Sequence, residues 1–360
     1  MTWWTLEPLD PLMIRDGRPF GLDTEGARSL PFPTPSVVAG TLRSRIGIAA
    51  GGTDFAATLK IDVAGPLRVE IGAEGDSARP LLLAPRDCVL FERKNEEWPR
   101  YRLGPVERWS DGHADLPAHL RPVSADLPAE KPAKDAPAFW DLETFRRWCA
   151  APPAHDALTR SATRPALVHE TRIHVGIDGQ TRTASDGQFF QTDGLRLTSR
   201  RDGAPGTWER SVLAVRCADP TLTDGLVPFG GERRLSRLER ATKAVTAALD
   251  GWTAPPVTTR ARVILLTPAI FAEGALPATI AGARVVAAAV GRPEVVSGWD
   301  MAARGPKPSR RCAPAGSVYW VELGDLEPAE WAKSVHLQTV STLPQDQLDG
   351  FGLAAVGVWA

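Results

Sequence analysis

Glycine and proline, 32 of each in 360 residues, interrupt this chain along its whole length. Each breaks regular structure for its own reason: glycine loses the most backbone entropy on ordering, and proline lacks a donor N–H. The elements between them must be short. That excludes a helical bundle and points to a strand-rich α+β chain with long loops.

Within that frame the chain opens on a strand, a loop and a helix. Trp3 to Leu6 alternates apolar and polar and is expected as a strand. A loop carrying Arg15 and Arg18 follows. In TPSVVAGTLRSRIGIAAG, Thr34 suits an N-cap and Pro35 the first helical position. Val38, Leu42 and Ile46 recur every four residues as a buried stripe, and Gly51 and Gly52 end the helix. Strand, long loop and helix are the opening of a ferredoxin-like βαββαβ unit. GPLRVEIG and RPLLLAPRDCVLFERK read as further strands. Residues 112–137, rich in Pro, Ala and Asp, read as a surface insertion. Phe139 to Ala150 predicts a short helix with Phe139, Leu142, Phe145 and Trp148 inward. VHETRIHVGIDGQTRTASDGQFFQTDGLRLTSR alternates around Asp-Gly pairs at 178–179 and 186–187, which predicts a strand meander. TWERSVLAVRCAD, TTRARVILLTPAIF, AGSVYWVEL and FGLAAVGVWA complete the strands. The expected fold is α+β, with two ferredoxin-like (RRM-like) units and long loop insertions. Residues 1–225 would form the first and 226–360 the second, which would begin with a Gly-rich loop.

Catalytic motifs are absent: there is no Walker loop, G-x-S-x-G, H-E-x-x-H or strand-linked G-x-G-x-x-G. The histidines are His113, His119, His155, His169, His174 and His336. On a strand, His169 and His174 would point to opposite faces and could not share a metal. General acid–base chemistry needs only one imidazole, so a ribonuclease stays open as an alternative. The four cysteines lie apart with no C-x-x-C, as expected of reduced thiols in the cytoplasm. The start MTWWTLEPLD lacks a signal pattern, and no apolar run reaches the roughly 18–20 residues of a membrane span. No cofactor, metal or membrane partner is expected.

Features that hold phosphate are better represented. A helix starting at Pro35 offers a positive N-terminus, to which Thr34 and Ser36 add hydroxyls. Gly40 would admit a close backbone approach, and Arg43 and Arg45 extend from the same helix. Phe229-Gly230-Gly231-Glu232-Arg233-Arg234 joins a two-glycine turn to two arginines, a pattern that can aim N–H groups and guanidinium forks at one anion. Glu232 should point away, toward a nearby arginine. Phe189 and Phe190 are candidates for base stacking, one outward and the other in the core. The formal net charge of −1 excludes diffuse attraction to nucleic acid, so any RNA contact must be a local patch.

Four stretches together resemble the third-subunit family of type III-B (Cmr) CRISPR complexes, within the RAMP superfamily. They are LEPLDPLMIRDGRPFG, PFPTPSVVAGTLRSRIG, TRIHVGIDGQTRTASDGQFF (Arg172, Ile177, Asp178, Thr181, Gly187, Phe189) and FGGERR. PAGSVYWVEL and GFGLAAVGVW also fit, and the motifs run in order along nearly the whole chain. The resemblance implies a non-catalytic ribonucleoprotein subunit in antiviral defence that grips the 5′ handle of a guide RNA. It implies the large palm-domain subunit and a backbone subunit as neighbours, with target RNA reached indirectly. Carried over by position, Arg43, Arg172, Gly230, Gly231, Arg233 and Arg234 would contact RNA, with His174 and Arg182 beside them. A guide-processing endoribonuclease and a purely structural scaffold are the competing readings.

Overall fold

The computed structural model describes residues 1–15, 29–52, 55–72, 74–93, 95–107, 115–197, 199–200, 208–300 and 305–359. Arg18 and His113 lie outside them. The chain forms mostly antiparallel sheets with few helices.

The first large sheet contains β1 (Thr2–Pro8), β2 (Val63–Ile71), β3 (Ala78–Leu83) and β4 (Phe139–Asp141). Two strands, β5 (Val168–Ile177) and β6 (Ala184–Arg196), form a hairpin of their own, tied to the N-terminal segment by one antiparallel bridge between Leu195 and Leu12. The first sheet resumes with β7 (Trp208–Cys217), β8 (Gly225–Pro228) and β9 (Leu235–Arg240). Its order is β4-β3-β2-β7-β1-β9-β8, every pair antiparallel. β2 is buried along its whole length, as a central strand covered on both faces must be. Its two charged residues are satisfied locally: Arg68 Nε donates to Ser211 Oγ at 3.2 Å, and Glu70 takes both forks of Arg164 at 2.7 and 2.8 Å.

The second sheet is built from β10 (Arg260–Leu265), β11 (Ala283–Ala289), β14 (Val318–Glu322) and β15 (Ala354–Val358), in the order β11-β14-β10-β15. Between β11 and β14 a small arm pairs β12 (Glu294–Val296) with β13 (Arg310–Cys312).

Four helices matter here: α1 (Pro35–Ala49), α2 (Leu142–Ala150), α3 (Lys243–Asp250) and α4 (Pro328–Val335). α2 is capped by Asp141, whose Oδ1 accepts from Thr144 N at 2.9 Å. It packs against β3 and β4 of the first sheet and β15 of the second. Phe139, Leu142, Phe145 and Trp148 are all buried, as the sequence led one to expect, although Phe139 belongs to a strand. One apolar core runs through both sheets, from Trp3, Leu67 and Val69 through Trp140 and Trp148 to Ile264, Trp320 and Ala355.

Several expectations need correction. The order β9-β1-β7-β2 in the first sheet and β15-β10-β14-β11 in the second is the fourth-first-third-second order of the expected unit. In each, however, only one of the two crossovers is helical, where that unit has a helix on both. In the first, α1 joins β1 to β2, and no helix lies between β7 and β9. In the second, α4 joins β14 to β15, and no helix among the described residues lies between β10 and β11. The Gly-rich turn does not open the second unit. It joins β8 to β9 inside the first sheet, because β9 is registered on β1 from Trp4↔Arg240 to Pro8↔Ser236. The stretch expected as a surface insertion, described from 115 onward, straps onto the second sheet: Arg121 bridges Ala287 and Leu120 is buried beside Val263 and Val285. The meander is a single hairpin. Asp178 makes the turn, and Gly187 lies within β6 at φ +71°.

Candidate nucleic-acid interface

α1 turns one face inward and one outward. Val38, Leu42 and Ile46 are buried, as their spacing requires. The opposite stripe, Val37, Gly40, Thr41, Ser44, Arg45 and Ile48, forms one wall of a cleft of about 960 Å³. Met13–Arg15, the strand β8 and the Gly-Gly turn form the facing walls, and Ser297, Gly298 and Lys307 of the β12–β13 arm close one side. Three motifs far apart in sequence thus meet in one concavity. Its lining is mainly apolar, with Ile48 and Leu226 well exposed. Arg15, Arg45 and Lys307 bring cations to it. Arg45 is held by its own chain: Nη2 donates to Thr223 Oγ1 at 3.2 Å and to Asp224 O at 2.9 Å. Gly40 is exposed, and a Cβ there would meet nothing within 4 Å.

The Gly-rich turn is closed by Phe229 N donating to Arg234 O at 2.8 Å. Gly230 has φ +79°, and a Cβ on it would come within 2.8 Å of Met13 O. Gly231 N donates to that same carbonyl at 2.7 Å. The glycines are therefore needed to press the turn against the N-terminal segment. The expected cradle of free N–H groups has at least one of them already used. Arg234 is turned back toward Glu232 at 3.2 Å and Asp10 at 3.9 Å, so the acidic residue pairs with a neighbouring arginine as expected. Arg233 is exposed and has no ion-pair partner among the described residues.

Arg43 has to be removed from the site. It is 5% exposed and ion-paired with Asp349, and Nη2 donates to Ile61 O at 2.8 Å and Leu348 O at 2.9 Å. It lies on the inward face of α1, one residue from Leu42, so its charge is spent on the C-terminal segment. The start of the helix is also covered. Thr34 and Pro35 are buried, and the Thr34 and Ser36 hydroxyls lie 3.3 Å from each other. The side of the helix, not its N-terminus, faces the cleft.

The β5–β6 hairpin stands away from the core with both faces exposed. Ile173, Val175, Ile177 and Phe189 are each between 49% and 66% exposed. Phe190, expected in the core if Phe189 were outward, is also exposed, at 49%. Among the described residues no second layer covers either face. On the Phe190 side His174 stacks on the ring at 5.0 Å and its Nε2 lies 2.8 Å from Thr192 Oγ1. Arg172 Nε donates to Glu170 at 2.6 Å. Arg182 sits in the turn at φ +56°, beside Asp178, whose carboxylate accepts from Gln180 N and Thr181 N and is held below its ordinary pKa by those bonds. At the hairpin base Arg172 and Arg234 border one small depression with Met13, which joins the hairpin to the Gly-rich turn.

Among the described residues no group of three or more His, Cys, Asp or Glu side chains could hold a metal ion. His169 is bonded to Asp193 at 2.7 Å, and His336 is buried. Of the residues that sequence reasoning named, Gly40, Gly230 and Gly231 line the cleft, while Arg233 and Arg234 lie on the same turn outside its lining; Thr41, Ser44 and Lys307 were missed. The spacing 37, 41, 44, 48, opposite the apolar stripe, is the signal that marks the helix face. Nothing local in the sequence marks Lys307, which arrives on a distant arm.

A family model described as CRISPR-associated protein (Cas_Cmr3) matches residues 4–359. No curated protein matches the sequence. Solved structures of similar fold include two chains of a type III-B complex. A chain of the type III-B Cmr-beta complex bound to cognate target RNA aligns at 16% identity with a TM-score of 0.50, covering 88% of this chain and 86% of that one. A chain of the same kind of complex with target RNA and AMPPnP aligns at 18% identity and a TM-score of 0.47, covering 89% and 86%. At these identities the likeness is one of fold.

Proposed function

Because the chain belongs to the Cas_Cmr3 family of CRISPR-associated proteins, the third-subunit family that its motifs resemble, we propose that it is a non-catalytic RNA-binding subunit of a type III-B effector complex. In this reading it grips the 5′ handle of the guide RNA and docks the large palm-domain subunit onto the backbone filament, in the cytoplasm. Its two sheets are reduced ferredoxin-like halves. The observation that carries the proposal is the cleft, where the outward face of α1, the Gly-rich turn and the N-terminal segment converge. A nearly neutral protein needs concentrated contacts of this kind to hold RNA. The apolar walls suit bases, while Arg15, Arg45, Lys307 and Arg233 suit phosphates. Arg172, His174, Arg182 and Phe189 on the adjoining hairpin extend the same surface.

Ultraviolet crosslinking of the intact complex tests this reading. Peptides spanning 37–48 and 226–234 should carry guide nucleotides from the handle. A complex whose RNA crosslinks only to other subunits would make this chain a scaffold. Cleavage of repeat RNA by the isolated chain would overturn the non-catalytic assignment.

A further inference from the structure

We propose that the cavity beside Arg102 is a binding site for a small tetrahedral oxyanion of the phosphate type, distinct from the RNA cleft and independent of the RNA reading. The cavity measures about 210 Å³ and is walled by Arg102, Arg262, Gly104, Ser124, Trp320 and Trp359.

The argument is one of charge. Arg262 is fully buried and ion-paired with Asp87, and it also donates to Val358 O at 2.8 Å and Trp148 O at 2.6 Å. The other oxygen of Asp87 accepts from Trp148 Nε1 at 2.8 Å. Arg100 holds Asp156, with Nη2 to Oδ2 at 2.6 Å. Both carboxylates are therefore taken. Arg102 lies two residues beyond Arg100 on the strand Glu97–Arg102, hence on the same face. It is half-buried, and its side chain makes no hydrogen bond or ion pair among the described residues. Three guanidinium groups meet two carboxylates, and the odd one borders an open space. Burial, and then the charge of Arg262, push the Arg102 guanidinium below its ordinary pKa, with Asp87 opposing.

An unneutralised cation in a small, mainly polar cavity favours any anion that can enter. Guanidinium forks match tetrahedral oxyanions, and the Ser124 hydroxyl adds a donor. The volume falls below the roughly 300–1,000 Å³ of pockets that take drug-sized ligands, which favours a small ion over a nucleotide.

The test uses the full chain, free of RNA, in phosphate-free buffer. Inorganic phosphate is titrated against sodium chloride of matched ionic strength. Phosphate should raise Tm with the logarithm of its concentration above Kd, by about 4 °C at a hundredfold excess over Kd. The tryptophan fluorescence should change over the same range. Arg102→Met should abolish both responses without melting lower in phosphate-free buffer, because it breaks no internal pair. Arg233→Ala, in the Gly-rich turn, should keep both. A response matched by chloride, or unchanged in Arg102→Met, would overturn the site. Phosphorus-31 line broadening with the unsubstituted chain needs no variant, and its absence would overturn the site equally.

Discussion

Arg43 on the inward face of α1 and Arg233 on the exposed Gly-rich turn do opposite work, and substitution should separate them. Arg43 faces inward. Arg43→Met would leave Asp349 buried with Gln345 as its remaining polar partner and should cost about 3–5 kcal/mol of stability. Arg233 faces outward. Arg233→Ala should leave Tm unchanged but lower the salt dependence of handle binding by about 0.7 in the log–log slope per lost phosphate contact. Denaturant titration of the first variant and binding at several salt concentrations of the second check the pair. An Arg43 variant of full stability and reduced slope would reverse the assignment. His336 supplies a pH dependence. It is buried, its Nδ1 accepts from Val356 N at 3.2 Å, its Nε2 lies 3.3 Å from Trp252 O, and burial lowers its pKa to about 4. The folded state therefore holds the neutral imidazole, while the unfolded chain takes up its proton near the ordinary value of about 6.5. The resulting stability is fully present above that pH and is lost as pH falls toward 4, with a size of about 3 kcal/mol. Urea melts between pH 7 and 4 should show this slope in the wild type and lose most of it in His336→Gln.

At the scale of elements, α1 was the most legible part of the chain. Its cap, its first proline and its buried stripe fall where the sequence places them, since helix signals are local. What could not be read was which polar residue belongs to which side. Arg43 and Arg45 are two apart and so diverge around the helix, and only tertiary packing shows which one meets Asp349. Gly40 tests the outward face. Gly40→Ala should stabilise the helix by about 1 kcal/mol and leave RNA binding nearly unchanged. Gly40→Trp should remain folded, because a Cβ meets open space, but should fill the cleft and weaken handle binding at least tenfold. Circular dichroism melts and filter binding check both, and tight binding by Gly40→Trp would place RNA elsewhere. The hairpin shows the limit of turn signals. Asp-Gly at 178–179 is a turn and Asp-Gly at 186–187 is not, since positive φ at Gly187 serves an irregular strand as well as a bend. The alternation that marks Phe189 and Phe190 as facing opposite ways is sound. Their common exposure follows from the missing second layer, which no local pattern reports.

For the molecule as a whole, strand content, the short elements and the motif positions were readable, whereas the partition into units was not. The Gly-rich turn looks like a beginning because a loop precedes it, but β9 pairs with β1 across most of the chain. The two sheets also share one core and are tied by Arg262–Asp87 and Arg43–Asp349. The chain should therefore unfold in urea as a single cooperative step, with far-ultraviolet circular dichroism and tryptophan fluorescence coincident. Two separated transitions would mean that the halves are independent after all.

The central place of β1 also bears on how the chain is made. Thr2 pairs with Cys217 and Pro8 with Ser236, so β1 lies between two strands that are translated more than 200 residues after it. At about 5–20 residues per second, its partners follow tens of seconds behind. During that interval Trp3, Trp4 and Leu6 have no sheet to enter, and a nascent chain stopped before β7 holds a sticky apolar end and no completed fold. In cells β1 should therefore need protection during translation, and truncations before residue 240 should aggregate rather than yield a smaller domain.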